Sequence, residues 1–177
     1  METLIKPKVA FHSLELYPQL ALLFNNFQIF KQEALNCYSE HLTKFDEIDE
    51  EAALKVIPLR PEESDWERIP NEFIVKSRNL APQTVHLVEP LENVKAFAFS
   101  SLKAGARITS YKGEKPYVMA MFCLQADKGV YLKNENKKQE IIEGELLIFD
   151  ATMEHKVVNN SDKDRIVLLL LLDNALT

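Results

Sequence analysis

The stretch Glu143-Gly-Glu-Leu-Leu-Ile-Phe-Asp150-Ala-Thr-Met-Glu-His155-Lys-Val-Val-Asn-Asn-Ser-Asp-Lys-Asp-Arg165-Ile-Val-Leu-Leu-Leu-Leu-Leu172 decides how this chain reads. A glycine turn opens a short apolar run ending at Asp150, a loop carries His155, and an Asn/Ser/Asp turn leads to Arg165, which opens the longest apolar run in the sequence. That order predicts strand, loop, strand, turn, strand, with one candidate metal ligand and one candidate anion-binding cation close in space. A continuous apolar run suits a central strand buried on both faces, and periodicity alone also fits a buried helix.

Short runs rich in Val, Ile, Phe and Tyr recur before this stretch: Thr84 to Val88, Val94 to Leu102, Arg107 to Tyr111, Tyr117 to Leu124, Gly129 to Leu132 and Gln139 to Ile142. Turn residues such as Gly105, Gly113 and Asp127 to Gly129 separate them. Many short strands without helical patterns between them predict a mainly β fold, a sandwich or barrel of the jelly-roll kind. The first sixty residues read differently. Leu16, Leu20, Leu23 and Phe24, then Phe27, Phe30, Ala34, Tyr38 and Leu42, recur at helical spacing, with Pro18 suited to a first turn and Asn25 and Asn26 between two helices. The acidic run Asp46 to Glu51 reads as a solvated face leading into a third helix or loop. Pro58, Pro61 and Pro70 punctuate a wrapping linker anchored by Trp66. The expectation is one domain over 1–177: helices in 1–60, a linker over 61–80, and a jelly-roll core over 81–177.

Bulk properties narrow the function. A chain of 177 residues with 46% apolar content can bury one sizeable core. A net charge of -6 opposes nucleic acid or anionic membrane as partners, since both need a concentrated basic face. Cys37 and Cys123 form no disulfide framework and no close-spaced metal motif, which fits a reducing cytoplasm. Neither the start of the chain nor the run Ile166 to Leu172 is long enough in apolar residues for a signal peptide or a membrane span.

Of the four histidines, His12, His41, His86 and His155, only the last two fall in the β-rich half. His155 follows a loop at the predicted barrel mouth, where a metal could meet an open site, and a hydrogen-bonded structural histidine is the alternative. Arg165 needs a partner, either Asp150 or Glu154 in a salt bridge or a bound anion such as a substrate carboxylate. Ser100, on the strand Val94 to Leu102, could donate to that same anion or face outward.

Together these residues resemble the aspartyl/asparaginyl β-hydroxylase family, cupin-type oxygenases that use iron(II) and 2-oxoglutarate and include lipid A hydroxylases. Asn79-Leu-Ala-Pro-Gln-Thr-Val is similar to the family's Cys-Pro-x-Thr segment, with Ala81 for cysteine. Phe99-Ser-Ser-Leu-Lys-Ala-Gly105 is similar to Phe-Ser-x-Leu-x-Pro-Gly, with Ala104 for proline. The stretch Glu143 to Val157 resembles Glu-Gly-x-x-Leu-x-Phe-Asp-Asp-x-x-x-His-x-Val, and Arg165-Ile-Val follows it. The resemblance implies a double-stranded β-helix (cupin, or jelly roll) with N-terminal helices packed on it. It further implies His155 as the distal iron ligand, Arg165 on the far carboxylate of 2-oxoglutarate, and Ser100 in support. Imidazole suits iron(II), and a guanidinium fork matches a carboxylate.

Two departures stand at the same site. Where the family places its first iron-binding histidine, this chain has Tyr111, in Ile108-Thr-Ser-Tyr111-Lys-Gly113. Where the family has a second cationic anchor for the cofactor, Tyr117-Val-Met-Ala-Met-Phe122 is uncharged, and the arginine position falls on Val118 or Met119. A phenolate ligand would need a pKa far below its ordinary value near 10. Two functions follow: a divergent hydroxylase acting on a peptide side chain or acyl chain, or a non-catalytic cupin that binds a small carboxylate or a protein partner.

Overall fold

The computed structural model describes residues 8–41, 53–62 and 69–176, with backbone alone at 41 and 109–111. The acidic run Asp46 to Glu51 and Trp66 lie outside the described residues.

Two 3₁₀ turns, Leu14–Leu16 and Pro18–Ala21, lead into α1 (Leu22–Asn25) and α2 (Phe27–His41), with Pro18 in the first helical turn as its fixed φ favours. Between the helices, the Asn26 side chain donates to the Leu22 carbonyl at 2.8 Å, satisfying an acceptor at the end of α1. Nine strands follow or intervene: β1 (Leu54–Arg60), β2 (Val94–Leu102), β3 (Arg107–Tyr111), β4 (Tyr117–Gln125), β5 (Val130–Asn134), β6 (Lys137–Glu140), β7 (Leu146–Asp150), β8 (His155–Asn159) and β9 (Arg165–Asp173). They form a five-stranded sheet in the order β1-β2-β9-β4-β7 and a four-stranded sheet in the order β3-β8-β5-β6, with all pairings antiparallel. Two such sheets wound face to face make a double-stranded β-helix. A bridge between Phe11 and Phe149, flanked by His12 N–H to the Ile148 carbonyl at 2.8 Å, covers the β7 edge.

Each face of the five-stranded sheet has its own core. On the outer face, Phe97, Phe99, Val118, Phe122, Leu168 and Leu170 pack under Leu20, Leu23, Phe30, Ala34 and Cys37 of the N-terminal segment. On the inner face, Leu102, Met121, Cys123 and Val167 meet Val130, Leu132 and Val157 of the four-stranded sheet, filling the barrel lumen. Strand β9 lies third of five with both faces covered, so both of its side-chain rows are apolar, as an uninterrupted Leu run requires. Phe122 sits where α1 and α2 cross the sheet, with the rings of Phe24, Phe27 and Phe30 edge-on at 5.6, 6.0 and 6.3 Å.

Three stretches depart from the sequence expectation. Residues 54–60, expected as part of the helical segment, form β1. Its alternation pairs inner and outer positions with β2, and Pro58 is tolerated because β1 is an edge strand that needs no N–H there. Within the expected linker, Asn71–Leu80 is helix α3, burying Ile74 and Ser77 at i and i+3 after Pro70. Thr84–Val88, expected as a strand, belongs to helix α4 (Pro82–Val88), which also carries His86. Tertiary contact overrides its β-branched composition. Pro82 has no N–H to satisfy, and the buried Glu33 carboxylate of α2 takes the next donors: Gln83 N at 3.0 Å, Thr84 N at 2.7 Å and the Thr84 hydroxyl at 2.6 Å. Glu33→Ala would strand the two Thr84 donors in a buried site, and we expect it to lower stability by about 2 to 3 kcal/mol in urea unfolding.

Among the described residues no helix is long and apolar enough to cross a membrane. Cys37 and Cys123 are free and buried, and burial pushes each thiol up to about 12.

Candidate functional site

Arg165 opens β9 from a turn that is tied down before it. The Asn159 side-chain amide, fully buried, donates to the carbonyls of Leu102, Lys103 and Lys163 at 3.0, 3.2 and 2.9 Å. Its oxygen accepts from the Ser161 N–H and hydroxyl. The acid just before Arg165 is engaged elsewhere: the Asp164 carboxylate accepts from Ala104 N at 2.9 Å, on the β2–β3 turn. Arg165 itself lies opposite Leu102 of β2, so the pleat turns it into the lumen.

There the guanidinium is 1% exposed. One terminal nitrogen donates to the Ser100 hydroxyl at 3.0 Å, and Nε has no partner. Among the described residues no carboxylate pairs with it. Asp150 accepts from Thr152 N and Oγ1 at 2.8 and 2.6 Å, and Glu154 is exposed. The salt bridge to Asp150 or Glu154 that the sequence allowed is therefore replaced by a single hydroxyl contact. Burial lowers the Arg165 pKa to about 10, with Tyr38 and Cys123 acting as lesser influences in the opposite sense. Burial also holds both of those groups above their ordinary values, so each is neutral at pH 7. Among the described residues, this cation thus has no anion beside it.

Further along the same face of the sheet, beyond the Ser100–Val167 pair, lies an apolar chamber of about 320 Å³. Val56 and Pro58 of β1, Ala96 and Ala98 of β2, Met119 of β4, and Leu169 and Leu171 of β9 line it. On β2 the inner positions run Ala96, Ala98, Ser100, Leu102, so Ser100 is the next inward residue below the chamber, roughly 7 Å along the strand from Ala98. The rim carries Arg60 and Glu62. Arg60 is committed to the carbonyls of Glu89 and Val94 and to the Phe97 ring, and Glu62 to Lys115.

His155 opens β8 with its ring 5.1 Å from that of Phe149 and its Nδ1 2.8 Å from the Met153 carbonyl. A carbonyl only accepts, so Nδ1 carries the proton and Nε2 the lone pair in the neutral ring, the tautomer of a metal-binding imidazole. Backbone register sets Tyr111 of β3 on one side of His155 and Asn134 of β5 on the other. Gly113 fixes the end of β3 against the loop before His155: its N–H donates to the Ala151 carbonyl, and a Cβ at Gly113 would lie 2.8 Å from that oxygen. Among the described residues no group of three or more His, Cys, Asp or Glu could hold a metal ion. One imidazole with a tyrosine opposite does not fit iron(II). 2-Oxoglutarate fits at one end only, since its far carboxylate suits Arg165 and Ser100 but the chamber offers Met119 where a second cation would be needed. The pleat decides between the two candidate positions for that cation: Met119 faces the lumen and Val118 packs in the outer core.

The sequence reading found Arg165, Ser100 and His155. It missed the chamber wall supplied by Val56 and Pro58, because 54–60 was taken with the helices. The short apolar run Val56-Ile-Pro-Leu59, bounded by Lys55 and Arg60, was the available signal.

Among curated proteins none matches the chain in sequence. Similar solved structures include the Cupin_2 domain of an XRE-family transcriptional regulator from Enterobacter cloacae, at 12% identity and a TM-score of 0.46, covering 70% of this chain and 99% of that one. A protein described as a predicted oxalate decarboxylase from Thermotoga maritima has 16% identity and a TM-score of 0.41, covering 52% of this chain and 73% of that one. The family described as Aspartyl/Asparaginyl beta-hydroxylase matches residues 25–174, which span α2, both sheets, His155 and Arg165. The chain belongs to the aspartyl/asparaginyl β-hydroxylase family.

Proposed function

We propose that this family member binds a small carboxylate in its barrel lumen through Arg165 and Ser100, and does so without iron. One observation carries the reading: a guanidinium wholly buried, with an orphan Nε and a single hydroxyl partner, and with no neutralising acid among the described residues. Such a charge is costly in isolation, and a carboxylate matches its planar donor fork. The protein then acts as a carboxylate-responsive binding module in a reducing compartment, where its two thiols stay free. Anaerobic titration tests this. Carboxylate binding by metal-stripped protein, lost on removal of the guanidinium, supports it, and binding that appears only with iron(II), accompanied by succinate release from 2-oxoglutarate, sinks it.

A second reading, iron-dependent hydroxylation of a peptide or acyl chain, is favoured by the His155 tautomer and by the family. Residues directly opposite across antiparallel strands have Cβ atoms roughly 5 Å apart, close enough for two imidazoles to share a cation. Tyr111→His is therefore expected to raise iron(II) affinity by about tenfold or more in anaerobic calorimetry. Equal affinity in both proteins would contradict a preserved metal-site geometry. A native protein that already binds one iron tightly and turns over would favour hydroxylation.

A further inference from the structure

We infer that the preferred ligand is an apolar-bodied monocarboxylate, such as a short to medium-chain fatty acid, and not a dicarboxylate. The inference rests on the carboxylate-binding reading of Arg165 and adds the direction and chemistry of the ligand's other end. The lumen pairs one cation with one apolar chamber on the same face of the five-stranded sheet. Ala98 and Leu169 close the lower end of the chamber, and Ser100, holding the guanidinium, is the next inward residue on β2. Between the two stand Ser100 of β2 and, opposite it on β9, Val167. A carboxylate placed on Arg165 would project its remaining atoms toward Met119, Leu169 and Leu171.

A second carboxylate there would lose its hydration against thioether and alkyl groups, with no free donor among the described lining residues to replace it. Among the described lining residues the one cation, Arg60, is turned away by its two backbone carbonyls and the Phe97 ring, and Lys115 is engaged by Glu62. An alkyl chain, by contrast, gains from each methylene it buries, and a chamber near 300 Å³ is of ligand size.

The test is calorimetric titration of the metal-stripped full chain with butanoate, hexanoate, octanoate and 2-oxoglutarate, repeated with Arg165→Met. The expected result is affinity rising about fourfold per methylene across the series. 2-Oxoglutarate should bind at least tenfold more weakly than octanoate, and octanoate affinity should fall about a hundredfold or more in Arg165→Met. Binding of 2-oxoglutarate as tight as that of octanoate overturns the monocarboxylate preference and leaves the carboxylate-binding reading intact. Octanoate affinity unchanged in Arg165→Met overturns the orientation, since the chain would then be held by the chamber alone. No binding of any of the four acids overturns both this inference and the reading beneath it.

Discussion

Replacing Arg165 with methionine is expected to abolish carboxylate binding while raising the stability of the ligand-free protein by about 1 to 4 kcal/mol. The two effects have one cause. The guanidinium is enclosed, its Nε lacks a partner, and its one hydrogen bond goes to a neutral hydroxyl, so the folded state carries a desolvated charge that nothing offsets. Methionine occupies a similar volume, adds apolar contact with the Leu102 and Val167 side of the lumen, and leaves only the Ser100 hydroxyl to find a new partner. The pH dependence has a definite sign. With a folded pKa near 10, below the ordinary arginine value of the unfolded chain, the folded state disfavours the protonated guanidinium; the penalty is complete below about pH 10 and is relieved as pH rises above it. The stability gain in Arg165→Met should thus be constant from pH 6 to about pH 9 and shrink above it. Urea unfolding of both proteins without ligand checks this, and a destabilised variant would mean that Arg165 is a structural keystone.

Phe122→Ala is expected to remove about 3 to 5 kcal/mol, the scale for emptying a fully enclosed aromatic site. At this size of chain each kcal/mol moves the thermal midpoint by about 2 to 4 °C. Phe122 is fully buried, and three phenylalanines from α1 and α2 meet its ring edge-on, so its loss opens a cavity at the seam between helices and sheet. Those helices cannot collapse into the gap without leaving Leu20, Leu23 and Leu168 unsupported. Because Phe122 points to the outer core and Arg165 to the lumen, the variant should keep its carboxylate affinity under conditions where it remains folded. A loss below about 1.5 kcal/mol would show that the helices are only loosely docked.

The barrel was readable because its strands follow a period of two between turn residues that admit special backbone angles; Gly129, at a φ of 95°, is such a turn residue before β5. Of the nine strands among the described residues, seven coincide with apolar or alternating runs in the sequence, while the wholly polar β6 is held by its pairing with β5. The ninth, β1, was hidden by Pro58 and by its position beside the helical segment, since only its pairing with β2 reveals that an edge strand can hold a proline. Helix α4 was hidden for the opposite reason: Thr-Val-His-Leu-Val favours a strand locally, and what makes it helical is Glu33, some fifty residues away in sequence. At the site, residue types disclosed a cation, a hydroxyl and an imidazole. They could not disclose that Asp150 and Asp164 are spent on Thr152 and Ala104, and it is that expenditure which leaves Arg165 unpaired.

The most direct measurement is the proton–nitrogen NMR resonance of the Arg165 Nε–H, assigned by its loss in Arg165→Met, in metal-stripped protein titrated with octanoate. The donor without a partner should move downfield as a carboxylate engages it, in step with binding and with no metal present. A resonance that stays fixed at saturating carboxylate, or that moves only after iron(II) is added, would contradict a lumen built around an anion-seeking arginine.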